Sequence, residues 1–294
     1  MTAGTPPAEV IIDEPLMRGL LTRQYPRLAD LPLARIDAGW DNVMFRLGTD
    51  LVVRAPRRQA AAQLIVNEQA WLPHLAPRLP IRIPTPVFVG SPDETFPWFW
   101  TIGPWIPGRP ANLDWPAADQ AGLFSAFLRA LHHPAPKTAP SNPVRGCPLV
   151  DRSSVVEPRC ERLQDNLGAL GVPTRALWRQ ALAAAPATKA VWLHGDLHAR
   201  NVLVDQGVIT GVIDWGDITA GDPATDLAAI WSLFEDPAAR LAIIADYAPS
   251  PDLLARSKGW AVSFGTVLLE TGLVDHPLHA TMGRLTLERL VADG

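Results

Sequence analysis

The stretch His-Gly-Asp-Leu-His-Ala-Arg-Asn at residues 194–201 and the stretch Ile-Asp-Trp-Gly-Asp at residues 213–217 indicate the fold most strongly. Asn201 follows Asp196 by five residues, and Asp214 stands at the end of an apolar run. A phosphoryl-transfer enzyme needs one carboxylate for the proton of the acceptor hydroxyl, and an amide and a second carboxylate for the magnesium that bridges the nucleotide phosphates. The spacing therefore predicts a site of this kind.

The composition excludes several other classes of protein. The chain has 294 residues, of which 48% are hydrophobic and 19% charged, so it can form one large domain or two smaller ones. Its apolar runs are short and interrupted, which predicts no membrane partner. With 26 basic and 30 acidic residues and no basic stripe, nucleic acid is not expected as a partner either. No signal peptide is recognisable and both cysteines are interpreted as incidental thiols, which favours a cytoplasmic location. The protein is expected to be a monomer or a homodimer.

The first third of the chain predicts strands with one helix. Gln59 to about Leu75 has helical spacing of its apolar residues, and residues 48–50 read as a hairpin turn. Residues 103–108, Gly-Pro-Trp-Ile-Pro-Gly, have the composition of a connector, because Gly and Pro interrupt strand pairing. The predicted strands are Leu33–Asp37, Val43–Leu47, Leu51–Arg54, Val87–Val89 and Trp98–Ile102.

The remainder is predicted to be mostly helical. Residues 134–150 are Pro-rich and predict a long loop. Helices are predicted at 117–131, 155–170, 174–185, 224–234, 237–247, 251–271 and 278–292, and short strands at 191–193, 201–205 and 208–213. The predicted fold class is thus α+β and two-lobed. A β-rich N-terminal lobe (1–105) would join an α-rich C-terminal lobe (106–294) through a hinge at about 103–108.

These motifs, with Gly-Asp-Pro-Ala-Thr-Asp-Leu-Ala at residues 221–228, resemble the aminoglycoside phosphotransferase family of small-molecule kinases with a protein-kinase-like fold. The match is close through residues 190–231, and looser but in the correct order from about 33 to 110. The resemblance implies transfer of the γ-phosphate of ATP or GTP, with Mg²⁺, to a hydroxyl of an aminoglycoside, a macrolide or another small molecule. The alternatives are a metabolic kinase for a choline- or homoserine-type alcohol, and a kinase fold that only binds.

Three side chains carry the predicted chemistry. Asp196 follows an apolar strand, where a loop can present its carboxylate to an incoming hydroxyl and accept the proton late. Asn201 and Asp214 offer hard oxygen ligands, which suit Mg²⁺. The alternatives are a capping or turn pair for Asp196 and Asn201, and a strand-end carboxylate for Asp214.

Two further residues are predicted to support the catalytic loop. By resemblance, a ring nitrogen of His194 bonds backbone, and Asp226 receives backbone N–H groups of the loop. Asp226 could instead be a helix N-terminal carboxylate. His194 and His198 have the spacing of metal ligands on a helix, but Gly195 argues against a helix there and against zinc.

The phosphate site must use arginine, since no lysine precedes Lys137. Arg54 ends the third predicted strand, where the family usually has a lysine, and Glu68 is its expected partner. Arg57 or Arg58 could substitute if the register differs. The segment Gly-Trp-Asp-Asn at residues 39–42 is placed where kinases cover the phosphates, although an ordinary β-turn is the alternative.

The remaining site predictions concern the nucleobase and the acceptor. The connector residues Pro104, Trp105 and Ile106 should pass the purine edge and offer backbone groups, which does not distinguish ATP from GTP. Acceptor contacts are predicted for Trp215 and Asp217, which follow the metal ligand in sequence, and for acidic residues of the C-terminal part of the chain. Those acids are Glu235, Asp236, Asp246 and Glu270, and a polycationic acceptor would need some of them.

Overall fold

A five-stranded antiparallel sheet forms the N-terminal lobe, in a computed structural model that describes residues 7–38 and 41–294. Its spatial order is β1-β2-β3-β5-β4, so only the last two strands depart from sequence order. The strands are β1 (Leu33–Ala38), β2 (Asn42–Leu47), β3 (Leu51–Pro56), β4 (Phe88–Gly90) and β5 (Trp100–Pro104).

The two faces of the sheet differ because side chains alternate along each strand. On β2, Val43, Phe45 and Leu47 are buried in an apolar cluster. The same cluster contains Met17 and Leu20 of helix α1 (Glu14–Gln24), which the sequence analysis did not predict. The side chains on the opposite face of the sheet point away from this cluster and can line a functional site.

Helix α2 (Gln59–Leu75) contacts β3 and β5 and agrees with its predicted bounds. It buries Ala62 and Ile65 and also the charged Glu68. A buried carboxylate is costly unless a cation pairs with it. Its partner, Arg54, lies on β3.

The C-terminal lobe is largely helical, with two small antiparallel sheets. Its helices are α3 (Ala121–Leu131), α4 (Ser153–Arg162), α5 (Gln164–Leu167), α6 (Gly171–Ala183), α7 (Ala224–Leu227), α8 (Ala229–Leu233), α9 (Pro237–Tyr247), α10 (Pro251–Asp275) and α11 (Pro277–Ala292). One sheet joins β6 (Arg109–Pro110), β8 (Val202–Asp205) and β9 (Val208–Val212), and the other joins β7 (Val191–Leu193) and β10 (Thr219–Gly221).

Some predicted elements need correction. The helix predicted over 155–170 breaks after Arg162, and Gly168 adopts a positive φ of 53° that a continuous helix cannot contain. The helix predicted over 224–234 divides into α7 and α8, and strand β10 was missed. The α+β class with a sheet lobe and a helical lobe is confirmed, while the boundary between residues 105 and 106 stays a prediction. Among the described residues, no helix is long and apolar enough to cross a membrane.

Helices α10 and α11 form an antiparallel pair in which glycine permits close backbone approach. A Cβ atom at Gly272 would lie 2.0 Å from the backbone nitrogen of Ala280. A Cβ atom at Gly122, in α3, would meet no other atom within 4 Å. The first glycine is therefore required by packing and the second is not.

We expect Gly272→Ala to lower the free energy of unfolding by about 1–3 kcal/mol, the usual cost of overpacking. Gly122→Ala should instead raise it by roughly 0.5–1 kcal/mol, since alanine is the better helix former. Urea unfolding of both variants measures this. Equal effects of the two substitutions would contradict the packing assigned to α10 and α11.

Candidate active site

The loop of residues 194–201 connects β7 to β8 and carries Asp196. Gly195 adopts a φ of +87°, and a Cβ atom there would lie 2.4 Å from the carbonyl oxygen of Asp217. Only glycine fits without movement of the backbone. The Asp196 loop is thus pressed directly against the second motif, residues 213–217.

Asp226, at the start of α7, holds this loop through the backbone. Its carboxylate is fully buried and accepts hydrogen bonds from the N–H groups of His194 at 2.7 Å and Gly195 at 2.9 Å. His132 lies 3.4 Å from the same carboxylate. Because both carboxylate oxygens are used inside the protein, Asp226 is positioned to support the loop and not to meet a ligand.

His194 connects the two motifs. Its Nδ1 accepts from the backbone N–H of Asp196 at 3.3 Å, so its Nε2 carries the proton and donates to the carbonyl of Ile213 at 2.9 Å. His198 contacts the Asp196 carboxylate instead, with Nε2 3.3 Å from Oδ2. The two histidines therefore do not form a metal pair. In the part of the chain that is described, no cluster of three or more His, Cys, Asp or Glu could hold a metal ion.

The carboxylate of Asp196 has partners on both oxygens. Arg145 donates to Oδ1 at 2.8 Å, and His198 lies against Oδ2. Burial alone would raise the pKa of Asp196, but the charge of Arg145 and the contact with His198 outweigh it and hold the pKa far below its ordinary value. Asp196 is consequently ionised at neutral pH.

Asn201 and Asp214 lie on adjacent segments of the chain and each carries an oxygen ligand. The side-chain N–H of Asn201 donates to the carbonyl of Asp196 at 2.9 Å, which leaves its amide oxygen for another partner. The backbone N–H of Ile213 donates to the Asn201 carbonyl at 2.8 Å, so the two segments are adjacent. Asp214 adopts a positive φ of 62°, and its side chain is 58% exposed. An amide oxygen and an exposed carboxylate fit Mg²⁺, whose other ligands come from phosphates and water.

Arg54 extends from the sheet to this site. It forms an ion pair with Glu68, and its Nη2 lies 3.3 Å from Oδ1 of Asp214. Burial lowers the pKa of a guanidinium, but the carboxylates of Glu68 and Asp214 outweigh it and raise the pKa of Arg54. The structure thus places this permanent cation between the N-terminal lobe and a predicted magnesium ligand.

Two other residues predicted to bind the nucleotide, Asp41 and Asn42, precede and begin the strand next to β3, which carries Arg54. Asp41 pairs with Arg58 at 2.7 Å, and Asn42 begins β2 with its side-chain oxygen buried and without a hydrogen bond. Gly39 and Trp40 of the predicted phosphate loop lie outside the described residues.

The connector has a fixed course. Pro104 ends β5, and the backbone N–H of Trp105 donates to the carbonyl of Asp50 at 2.7 Å. The Trp105 ring stacks under Arg46 at 4.0 Å, while Ile106 is buried. A cavity of about 490 Å³ borders residues 104–106 on the side of residues 76–87. Its lining does not include Arg54, Asp196 or Asp214, so it is not the phosphate site.

One of the three predicted acceptor contacts needs correction. Trp215 cannot face an acceptor, because its side chain is fully buried and donates to the carbonyl of Val212 at 2.9 Å. Glu270 binds Arg159 and Arg162 at 2.9 and 2.7 Å, and its contact with an acceptor stays a prediction. Asp217 does lie beside Asp196, where burial and then the neighbouring charge of Asp196 raise its pKa.

Two residues at the site were not predicted from the sequence, Asn142 and Arg145, which come from the loop at residues 134–150. Asn142 donates to Asp217 at 2.6 Å, and Arg145 reaches Asp196. One signal was present, because loops of this length in a folded domain are uncommon unless they serve a function. No pattern in the sequence shows which of its side chains points to the site.

The chain matches the phosphotransferase enzyme family over residues 32–260. It belongs to this family. An aminoglycoside 3'-phosphotransferase of Escherichia coli is 27% identical over 177 residues, which cover 55% of this chain and 59% of that enzyme. This match therefore spans less than two thirds of that relative's length. The resemblance stated from the motifs is confirmed.

Solved structures share the fold. The GDP complex of wild-type aminoglycoside 2'-phosphotransferase-IIIa has a TM-score of 0.70 at 17% identity and covers 96% of this chain and 100% of its own. The macrolide 2'-phosphotransferase MphH from Brachybacterium faecium has a TM-score of 0.58 at 22% identity, with 92% and 96% covered. At these identities the similarity concerns the fold alone.

We expect Asp226→Asn to lower the free energy of unfolding by about 1–3 kcal/mol, because the new amide N–H group would face a buried backbone donor. Asp236→Asn is the matched control. Asp236 caps α9 by accepting from Ala238, and asparagine caps a helix equally well. Urea midpoints compare the two. A stable Asp226→Asn protein would contradict the supporting role of this carboxylate.

Proposed function

We propose that this protein transfers the γ-phosphate of a nucleoside triphosphate, ATP or GTP, to a hydroxyl group of a small molecule. The observation that carries the proposal is the meeting of Asp196, Asn201 and Asp214 on two adjoining loops, with Arg54 touching Asp214. A loose phosphoryl transfer depends on positioning and on charge stabilisation, and this set offers both.

Asp196 is assigned as the base. Its carboxylate is ionised because Arg145 and His198 lower its pKa. A weak base is sufficient here, because the acceptor proton leaves late in a loose transition state. Asp196 would therefore orient the hydroxyl first and accept its proton second. His194 and Asp226 hold the loop that carries it.

Asn201 and Asp214 are assigned as the protein ligands of Mg²⁺. When bound, the ion neutralises charge on the nucleotide phosphates and fixes their orientation. The amide oxygen of Asn201 is kept available because its N–H group is bound to the carbonyl of Asp196. The exposed carboxylate of Asp214 is the anionic ligand.

Arg54 is assigned to the α- and β-phosphates in place of the lysine usual in the family. Its guanidinium remains charged at every physiological pH and can grip two phosphate oxygens at once. Glu68 holds it from the buried side. Asp41 and Asn42 lie at the start of β2, where they would cover the phosphates, and Pro104, Trp105 and Ile106 would pass the purine.

Antibiotics are the proposed class of acceptor. The E. coli relative is named for aminoglycosides, and the two solved structures are named for an aminoglycoside and a macrolide. Asp217 is the acidic side chain beside Asp196 and so the first acceptor contact to consider. A choline- or homoserine-type alcohol remains the alternative acceptor. With either acceptor, we propose that the protein is cytoplasmic.

We expect Asp196→Asn to reduce acceptor-dependent nucleotide turnover by about 10²–10⁴-fold, the usual contribution of a positioned base. Nucleotide affinity should stay within about twofold, since Asp196 is not assigned to the nucleotide. Turnover is measured with a panel of antibiotics and small alcohols, and the product is identified by phosphorus NMR.

Asp205→Asn, on the exposed end of β8, is the control and should leave turnover unchanged. Turnover that survives Asp196→Asn would remove Asp196 from the reaction. Nucleotide binding by the wild type without any acceptor-dependent turnover would favour the binding-only alternative.

A further inference from the structure

Arg145 lies against both Asp196 and Asp217. Besides the 2.8 Å contact with Asp196, its Nε lies 4.0 Å from Oδ2 of Asp217. Its guanidinium also stacks on the ring of Phe264 at 4.9 Å, from helix α10. One arginine is thus placed between the two carboxylates that an amino group of an acceptor would otherwise meet.

The backbone of the loop fixes Arg145 at this place. The N–H of Asp222 donates to the carbonyl of Gly146 at 3.0 Å, and the N–H of Ala220 donates to that of Pro140 at 2.9 Å. A Cβ atom at Gly146, whose φ is +65°, would lie 2.6 Å from a methyl group of Leu193. The loop is therefore packed against β7 and β10, and Arg145 is delivered by a defined structure.

A second guanidinium lies farther along the catalytic loop. Arg200 contacts His279, which stacks on His276 with ring centroids 3.8 Å apart. Burial, and then the charge of Arg200, lower the pKa of His279 to about 4, so that ring is neutral at physiological pH. The Arg200–His279 pair therefore adds one positive charge to the surroundings of the catalytic loop and no negative charge.

Three of the four acidic side chains considered for a polycationic acceptor form ion pairs with arginines, and the fourth, Asp236, caps α9. Glu270 binds Arg159 and Arg162, as described above. Glu235 lies 3.4 Å from Arg289, and Asp246 lies 2.9 Å from Arg129. An amine-rich acceptor would have to break such pairs, or to approach a resident guanidinium.

We propose that Arg145 is a specificity-determining residue, and that the acceptor is a neutral or anionic hydroxyl compound with no ammonium group beside the hydroxyl that receives the phosphate. Arg145 stands where that ammonium group would bind, and a guanidinium donates hydrogen bonds to acceptor oxygens. A like charge at roughly 4 Å near a protein surface repels that ammonium group and offsets the attraction that Asp196 and Asp217 would exert on it. The inference rests on the proposed function, because it takes Asp196 as the base.

The test uses kanamycin, a polycation, and kanamycin acetylated on its amino groups, which has the same hydroxyls without the charge. Calorimetry gives the Kd of each compound for the wild type and for Arg145→Gln. We expect Arg145→Gln to bind kanamycin at least about tenfold more tightly than the wild type, a part of the cost of a like charge at that distance. Binding of the acetylated compound should change by less than about threefold, since no charge is involved.

Matched variants isolate the charge at this position. Arg145→Lys keeps it and should behave as the wild type, and Arg179→Gln removes an exposed charge on α6 and should also change nothing. Arg145→Met, which can still pack on Phe264, replaces Arg145→Gln if circular dichroism shows that the latter is unfolded. The inference is overturned if the wild type binds kanamycin as tightly as the charge-removing variant, or if neither binds it.

Failure of the proposed function has a different signature. It would appear as acceptor-dependent nucleotide turnover that is the same in the wild type and in Asp196→Asn, or as nucleotide binding by the wild type without any such turnover. The kanamycin comparison measures binding alone and does not depend on that rate.

Discussion

The buried ion pair between Arg54 and Glu68 is the interaction on which the arrangement of the site depends. It joins β3 to α2, and the free side of the same guanidinium reaches Asp214 in the other lobe. A buried arginine without its carboxylate would be strongly unfavourable, by about 3–5 kcal/mol in comparable pairs. The pair therefore sets where a permanent positive charge stands relative to the proposed magnesium ligands.

Arginine has a similar part throughout the C-terminal lobe, where it compensates buried or half-buried acids. Arg256 binds Asp222 at 2.6 Å, just before α7, and Arg240 binds Asp293 at 2.6 Å near the chain end. These pairs fix helix ends and loops around the catalytic segments.

Local patterns were sufficient for the fold class and for the elements near the motifs, because alternation on β2 and helical spacing on α2 are visible over a few residues. They were insufficient where packing between residues far apart in the sequence determines the position of a side chain. Trp215 is adjacent to Asp214 in sequence, yet it turns into the core, and Arg145 reaches Asp196 across 51 residues. Helix α1 was missed because its start depends on a single Asp13 cap and its burial on a distant sheet.

Magnesium-dependent binding of a non-hydrolysable nucleotide to Arg54→Met and Arg54→Lys tests the central claim most directly. The account predicts a Kd weakened by about 10–100-fold for Arg54→Met, the worth of a charge-assisted hydrogen bond to phosphate. Arg54→Lys should stay within a few-fold of the wild type, and Arg78→Met, at an exposed position, should match it. An unchanged Kd for a folded Arg54→Met protein would contradict the claim that Arg54 holds the phosphates.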